Sequence, residues 1–109
     1  MLFDHRTYHV RPGTVSMQLA MYEKYGWEPQ KRHLGEPLAF MVTETGDLNS
    51  YVHIWVYEDA GDRARKRAAL AQDADWKIYL EHSAKAGYLI GQENNHMTPV
   101  SFLKHRVGP

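Results

Sequence analysis

The sequence predicts an α+β protein: a ferredoxin-like, two-layer sandwich of one antiparallel sheet and a helical layer, with the element order β-α-β-β-α-β. Three observations carry this. Residues 51–57 alternate without a break, with Val52, Ile54 and Val56 on one face and Tyr51, His53, Trp55 and Tyr57 on the other. Val15, Leu19 and Tyr22 recur at helical spacings. Gly and Pro fall between the patterned stretches, as punctuation.

The elements follow in order. Residues 3–10 hold the β-formers Phe3, Thr7, Tyr8 and Val10 and stop at Arg11-Pro12-Gly13, a turn signal. The stripe from Val15 to Tyr22 is a helix with Thr14 as N-cap and Gly26 as its stop; Gln18, Glu23 and Lys24 lie off the stripe. Residues 27–36 are polar, contain Pro29 and read as a loop with at most a short helical turn. Residues 38–43 form a strand, and residues 44–49 a hairpin connection longer than the two-residue type. The alternating strand 51–57 comes next. Residues 59–71 form a helix with Asp59 and Asp62 in its first turn and with Asp59/Arg63 and Asp62/Lys66 as i,i+4 pairs. Asp73-Ala74-Asp75 caps a further helix that carries Trp76, Tyr79, Leu80 and Ser83 on one side and ends near Gly87. Residues 88–97 are the last strand. Short connections and right-handed crossovers select the ferredoxin-like arrangement, with the first and third strands as central neighbours.

Composition bounds the chemistry. The chain has 109 residues, thirteen basic and thirteen acidic side chains, seven His and no Cys. One domain over residues 1–109 is expected, its core about 3–100, with residues 101–109 as a C-terminal extension. Without Cys there is no disulfide framework, thiolate catalysis or Cys-type metal centre. Zero net charge argues against a nucleic-acid partner and leaves self-association unopposed. No apolar run is long enough for a membrane span, and the first residues lack a signal-peptide pattern, so a cytoplasmic location is expected. His5 and His9, four apart on a strand, are separated by roughly 13 Å, and no other His spacing suits chelation. No metal and no cofactor is expected. Ser-His-Asp order, phosphate loops and nucleotide fingerprints are also missing.

The sheet carries more apolar surface than two layers can cover. If the helices cover Val52, Ile54 and Val56, the opposite face of that strand still holds four large rings. In the preceding strand Leu38, Phe40 and Val42 alternate with Ala39, Met41 and Thr43, apolar on both sides. Such a patch marks an interaction surface, and a homodimer packed sheet on sheet is the simplest solution. The space between the sheets would be a cavity of small-molecule type. Charges are costly under helices unless paired. Arg6 and Tyr8 are therefore expected on the cavity side, with Phe3, His5 and Thr7 toward the helices. In the last strand Gln92 and Asn94 alternate with Glu93 and Asn95, and parity alone does not decide which pair points inward.

The candidate ligand-binding residues are thus Arg6, Tyr8, Tyr51, His53, Trp55, Gln92 and Asn94, with His53 as candidate catalytic base. Tyr8 would supply a hydroxyl and Arg6 a fixed cation. The competing structural role is a polar dimer core whose groups satisfy one another. Arg63, Arg65, Lys66 and Arg67 read as a solvated helix face, and Trp76, Tyr79 and Leu80 as core.

Several motifs in order resemble the NIPSNAP family. They run from Arg6-Thr7-Tyr8-His9-Val10-Arg11-Pro12-Gly13 through Arg32-His33-Leu34-Gly35, Glu44-Thr45-Gly46-Asp47-Leu48-Asn49 and Val52-His53-Ile54-Trp55-Val56-Tyr57 to Asp62-Arg63, Arg67-Ala68-Ala69-Leu70, Trp76 and Gln92-Glu93-Asn94. The resemblance covers residues 3–100. His5 and His9 depart from the family pattern at the first strand. The resemblance implies a dimeric α+β barrel and a small bacterial member of undetermined activity. Three functions remain open: a small-molecule binder, a cofactor-free monooxygenase or isomerase using His53 as base, and a protein-interaction module using the outer helices and the segment 27–35.

Overall fold

The computed structural model describes residues 1–103. Its elements are β1 (Leu2–Val10), α1 (Val15–Tyr25), α2 (Trp27–Leu34), β2 (Ala39–Val42), β3 (Ser50–Tyr57), α3 (Ala60–Gln72), α4 (Ala74–Ala86) and β4 (Leu89–Met97). The sheet order is β2-β3-β1-β4 and every pairing is antiparallel. This is the ferredoxin-like topology, with β1 and β3 central as the pattern requires. The outer part of the expected C-terminal extension, residues 104–109, lies outside the described residues.

Two sequence expectations change. The segment expected to be a loop is a helix, α2, joined to α1 through Gly26. Pro29 misled the reading, but it occupies the first turn of α2, where a backbone N–H has no helical acceptor to lose. Leu34 at its other end is buried against Trp55, Tyr57 and Leu70, which anchors the segment to the core. In α1 the deepest side chain is Gln18, which the stripe had left outside.

The second change is larger: the two sheet faces are exchanged. The helices cover Tyr51, His53, Trp55 and Tyr57, all buried, while Val52, Ile54 and Val56 are only half-buried on the open face. Pairing carries this across the sheet. Tyr8 opposes Tyr51 and Gln92, and Arg6 opposes His53 and Asn94, so these residues share the helix side. Phe3, His5 and Thr7, expected under the helices, lie on the open face with Glu93, Asn95 and Met97. The expectation failed at Asp4 and Arg6. Charges under helices are costly only when unpaired, and these are paired. Arg6 NH1 donates to Asp4 Oδ2 at 3.2 Å, and Arg63 Nε reaches the same oxygen from α3 at 3.1 Å. Arg63 thus pairs with Asp4, not with Asp59. Lys66 does pair with Asp62, at 3.2 Å.

The remaining elements end as their residues dictate. Asp59 caps α3 by accepting from the Asp62 amide, and Asp73 caps α4 by accepting from the amides of Asp75 and Trp76. Gly87 closes α4 in the left-handed region, at φ 63°. No helix among the described residues is long and apolar enough to cross a membrane.

Candidate functional site

A cavity of about 280 Å³ lies between the sheet and the helices of a single chain. It is lined by residues of all four strands and all four helices, among them Arg6, Tyr8, Tyr51, His53 and Gln92. Five of the seven candidate residues therefore meet at one cavity, which lies between the sheet and the helices of one chain. Trp55 sits behind His53 in the core, and Asn94 lies beside the rim, its amide oxygen accepting from Arg6 NH1 at 3.1 Å and from Gln92 Nε2 at 3.3 Å. Gln92 is exposed, because the helices leave β4 largely uncovered.

The floor is a platform of rings. Strand alternation places Tyr8, Tyr51, His53 and Phe40 on neighbouring positions of one face. Tyr8 stacks on Tyr51 at 5.2 Å and on His53 at 5.0 Å between centroids, and Phe40 stacks on His53 at 4.7 Å. Tyr22 and Tyr79 meet edge to face above it, at 5.7 Å. Trp76, Tyr79 and Leu80 of α4, expected as core, form the opposite wall with Ser83; Tyr79 is buried, but Leu80 is exposed because it stands at the cavity edge and not under the sheet.

Polar groups tie the platform to the helices. Gln18 Nε2 donates to the hydroxyls of Tyr51 and Tyr79, at 3.2 and 3.0 Å, and the Tyr22 hydroxyl donates to Gln30 Oε1. Burial pushes the pKa of Tyr22, Tyr51 and Tyr79 upward, so all three are neutral donors and acceptors. Arg6 is held by Asp4 and by the Tyr8 hydroxyl, to which its Nε donates at 3.0 Å. Burial works to raise the pKa of Asp4, but Arg6 and Arg63 outweigh it and hold the carboxyl ionised below its ordinary value.

His53 has a defined state. The indole N–H of Trp55 can only donate, so His53 Nδ1 accepts from Trp55 Nε1. The neutral ring then carries its proton on Nε2, which has no partner among the described residues. Burial, with the Arg6 charge adding to it, pushes the imidazole pKa down to about 3. Near neutral pH His53 is an uncharged hydrogen-bond donor, not a basic nitrogen awaiting a proton.

Sequence reasoning missed Gln30 and Arg67, which line the cavity, and Gln18, which holds the Tyr51 and Tyr79 hydroxyls. Gln18 and Gln30 were hidden because a polar residue scores against a buried stripe. Arg67 was absorbed into a basic helix face, yet it lines the cavity. The one usable signal was spacing: Arg63 and Arg67 are four apart and share a helix side.

The fold and the cavity define an α+β sandwich with an aromatic and cationic cavity of about 280 Å³ between its two layers. Comparison with known proteins agrees on the class. Residues 3–104 match NIPSNAP, and the chain belongs to the NIPSNAP family. It is 35% identical to a NIPSNAP family protein of unknown function from Agrobacterium tumefaciens, covering 94% of this chain and 91% of that one with a TM-score of 0.85. A NIPSNAP domain protein from Burkholderia xenovorans is 30% identical, with 96% and 100% covered and a TM-score of 0.87. The NipSnap homolog of Dictyostelium discoideum is 32% identical over 75 residues, which are 69% of this chain and 33% of that protein. The chain thus spans about a third of the length of the curated relatives it matches. A putative antibiotic biosynthesis monooxygenase from Nitrosomonas europaea shares the fold, with a TM-score of 0.64 at 11% identity, covering 92% of this chain and 99% of that one.

Proposed function

We propose that this NIPSNAP protein binds a flat, aromatic or conjugated small molecule in the cavity between its sheet and its helices. The observation that carries the reading is the ring platform of Tyr8, Tyr51, His53 and Phe40 facing a cavity of about 280 Å³, a volume near the lower end for small-molecule sites. Packing alone would fill such a space with side chains.

Titration with planar aromatic compounds, followed by calorimetry and thermal shift, tests it. Binding is expected in wild type. Leu80→Trp, which adds a ring at an already exposed wall position, is expected to weaken it by more than about tenfold, roughly 1.4 kcal/mol. No binding by any planar compound would sink the proposal.

The alternative of a cofactor-free oxygenase or isomerase keeps the same cavity but changes the part of His53. With Nδ1 taken by Trp55 and Nε2 protonated, His53 is suited to donate to a ligand oxygen and poorly suited to act as base. We further propose that two copies pair through their open sheet faces. There Val52, Ile54, Val56, Phe3 and Met41 form a continuous apolar patch, which a second sheet of the same kind would cover. The cavity itself is complete in one chain.

A further inference from the structure

We infer that the ligand carries an acidic oxygen, a carboxylate or an enolate-type oxyanion, and that Arg67 binds it with His53 Nε2 as a second donor. This deepens the reading of the cavity as a small-molecule site and rests on it.

Arg67 projects from α3 into the cavity, and its NH1 is buried with no hydrogen-bond partner. A buried guanidinium N–H without an acceptor is costly and asks for an explanation. The Tyr57 hydroxyl lies near Arg67, whose charge and hydrogen-bonding contact both act on it, but neither the Tyr57 hydroxyl nor Arg67 NH1 makes a hydrogen bond of ordinary length. The other two guanidinium groups on this side are accounted for, since Arg6 and Arg63 share Asp4. No acidic side chain lines the cavity, and no carboxylate among the described residues forms an ion pair with Arg67. Of the three guanidinium groups on this side, Arg6 and Arg63 share the Asp4 carboxylate, and Arg67 is the one left without a carboxylate.

The second donor points to the same chemistry. His53 Nε2–H is unpartnered and lies in the same wall, and the Arg67 charge reaches the imidazole. A guanidinium and an N–H beside a ring platform match a flat ligand whose conjugated system ends in an oxyanion. The stacked rings turn their faces to one another, so their edges, His53 Nε2–H among them, meet the ligand, and Arg67 takes its charged end. A ligand ending in a cation would meet Arg67 with no acidic side chain in the lining to offset the repulsion.

The test compares naphthoate with naphthamide, which share shape and differ in charge. Affinities are measured by calorimetry on wild type, Arg67→Met and, as a second variant should the first not fold, Arg67→Gln. Wild type is expected to bind the acid about tenfold tighter than the amide. The Arg67 variant is expected to lose that preference while holding the amide to within about twofold. Equal binding of acid and amide by wild type would overturn this inference and leave the cavity reading standing. Absence of binding by either compound, or by any other planar compound, would overturn both. A preference for the acid that survives unchanged in the Arg67 variant would overturn the assignment to Arg67.

Discussion

His53 is the residue whose surroundings most decide its chemistry. Its pKa is pushed down to about 3 by burial and by nearby Arg6, against an ordinary 6.5. An unfolded chain therefore takes up a proton at this His below about pH 6.5 that the folded chain refuses until about pH 3. Folding stability falls as pH drops through that window. From about pH 7 to about pH 4 the expected loss is about 3 kcal/mol, an order-of-magnitude figure, read as a falling urea midpoint. His53→Gln is expected to flatten that slope. The ion-paired carboxylates act lower. Asp4, held down against its burial by Arg6 and Arg63, and Asp73, held at about 2 chiefly by a hydrogen bond from His33, lose their share only below about pH 3.8. His9 runs the other way. Glu93 and Asp47 raise its pKa, so its contribution is complete below pH 6.5 and is lost as pH rises through the raised value. A midpoint that does not move between pH 6.5 and pH 4 would contradict the buried neutral state of His53.

At the scale of elements, the join between α1 and α2 controls the cavity. Gly26 has an ordinary negative φ of −105°, so its small size matters here, not its conformational freedom. A Cβ placed there would stand 2.9 Å from Tyr22 Cδ1 and 3.0 Å from the Tyr79 ring. Both rings line the cavity. Gly26→Ala is expected to cost about 1–3 kcal/mol in a urea titration and to weaken ligand binding by displacing these rings. The junction between α3 and α4 behaves differently. Asp73 ends one helix, caps the next and holds Arg32 and His33 of α2, at 2.6 and 2.8 Å. Asp73→Ala is expected to lower the thermal midpoint without changing affinity for a planar ligand, because Asp73 does not line the cavity. The capping role was legible from the sequence: Asp followed by an acidic first turn is a local signal. The helical state of residues 27–34 was not, because it comes from Leu34 reaching Trp55 and Tyr57, positions far away in sequence.

At the scale of the molecule, the exchange of sheet faces separates site from surface. The cavity lies within a single chain, and the open face is the one proposed to meet a second copy. Ile54→Lys puts a charge at the centre of that face, opposite His5 and Ala39. It is expected to turn a dimer into a monomer at micromolar concentration, measured by sedimentation. The monomer is expected to keep its affinity for a planar ligand to within about twofold. Loss of binding together with dissociation would place the site between chains. A wild-type chain already monomeric under these conditions would remove the proposed pairing.

The sequence by itself determined the order of the strands and of every helix but α2, the strand pairing and, through parity, which residues keep company. Arg6, Tyr8, His53 and Gln92 stand together because alternation and register allow nothing else. It could not choose between the two faces. Each face of β3 is apolar, one aliphatic and one aromatic, so hydrophobic pattern alone is balanced. The tertiary structure decided the choice through polar groups brought from afar. Gln18 and Gln30 meet the tyrosine hydroxyls, and Arg63 meets Asp4. A buried aromatic face with hydroxyls and a charge needs such partners, and only the helices carry them. The aliphatic face needs none, and so it is the one left open.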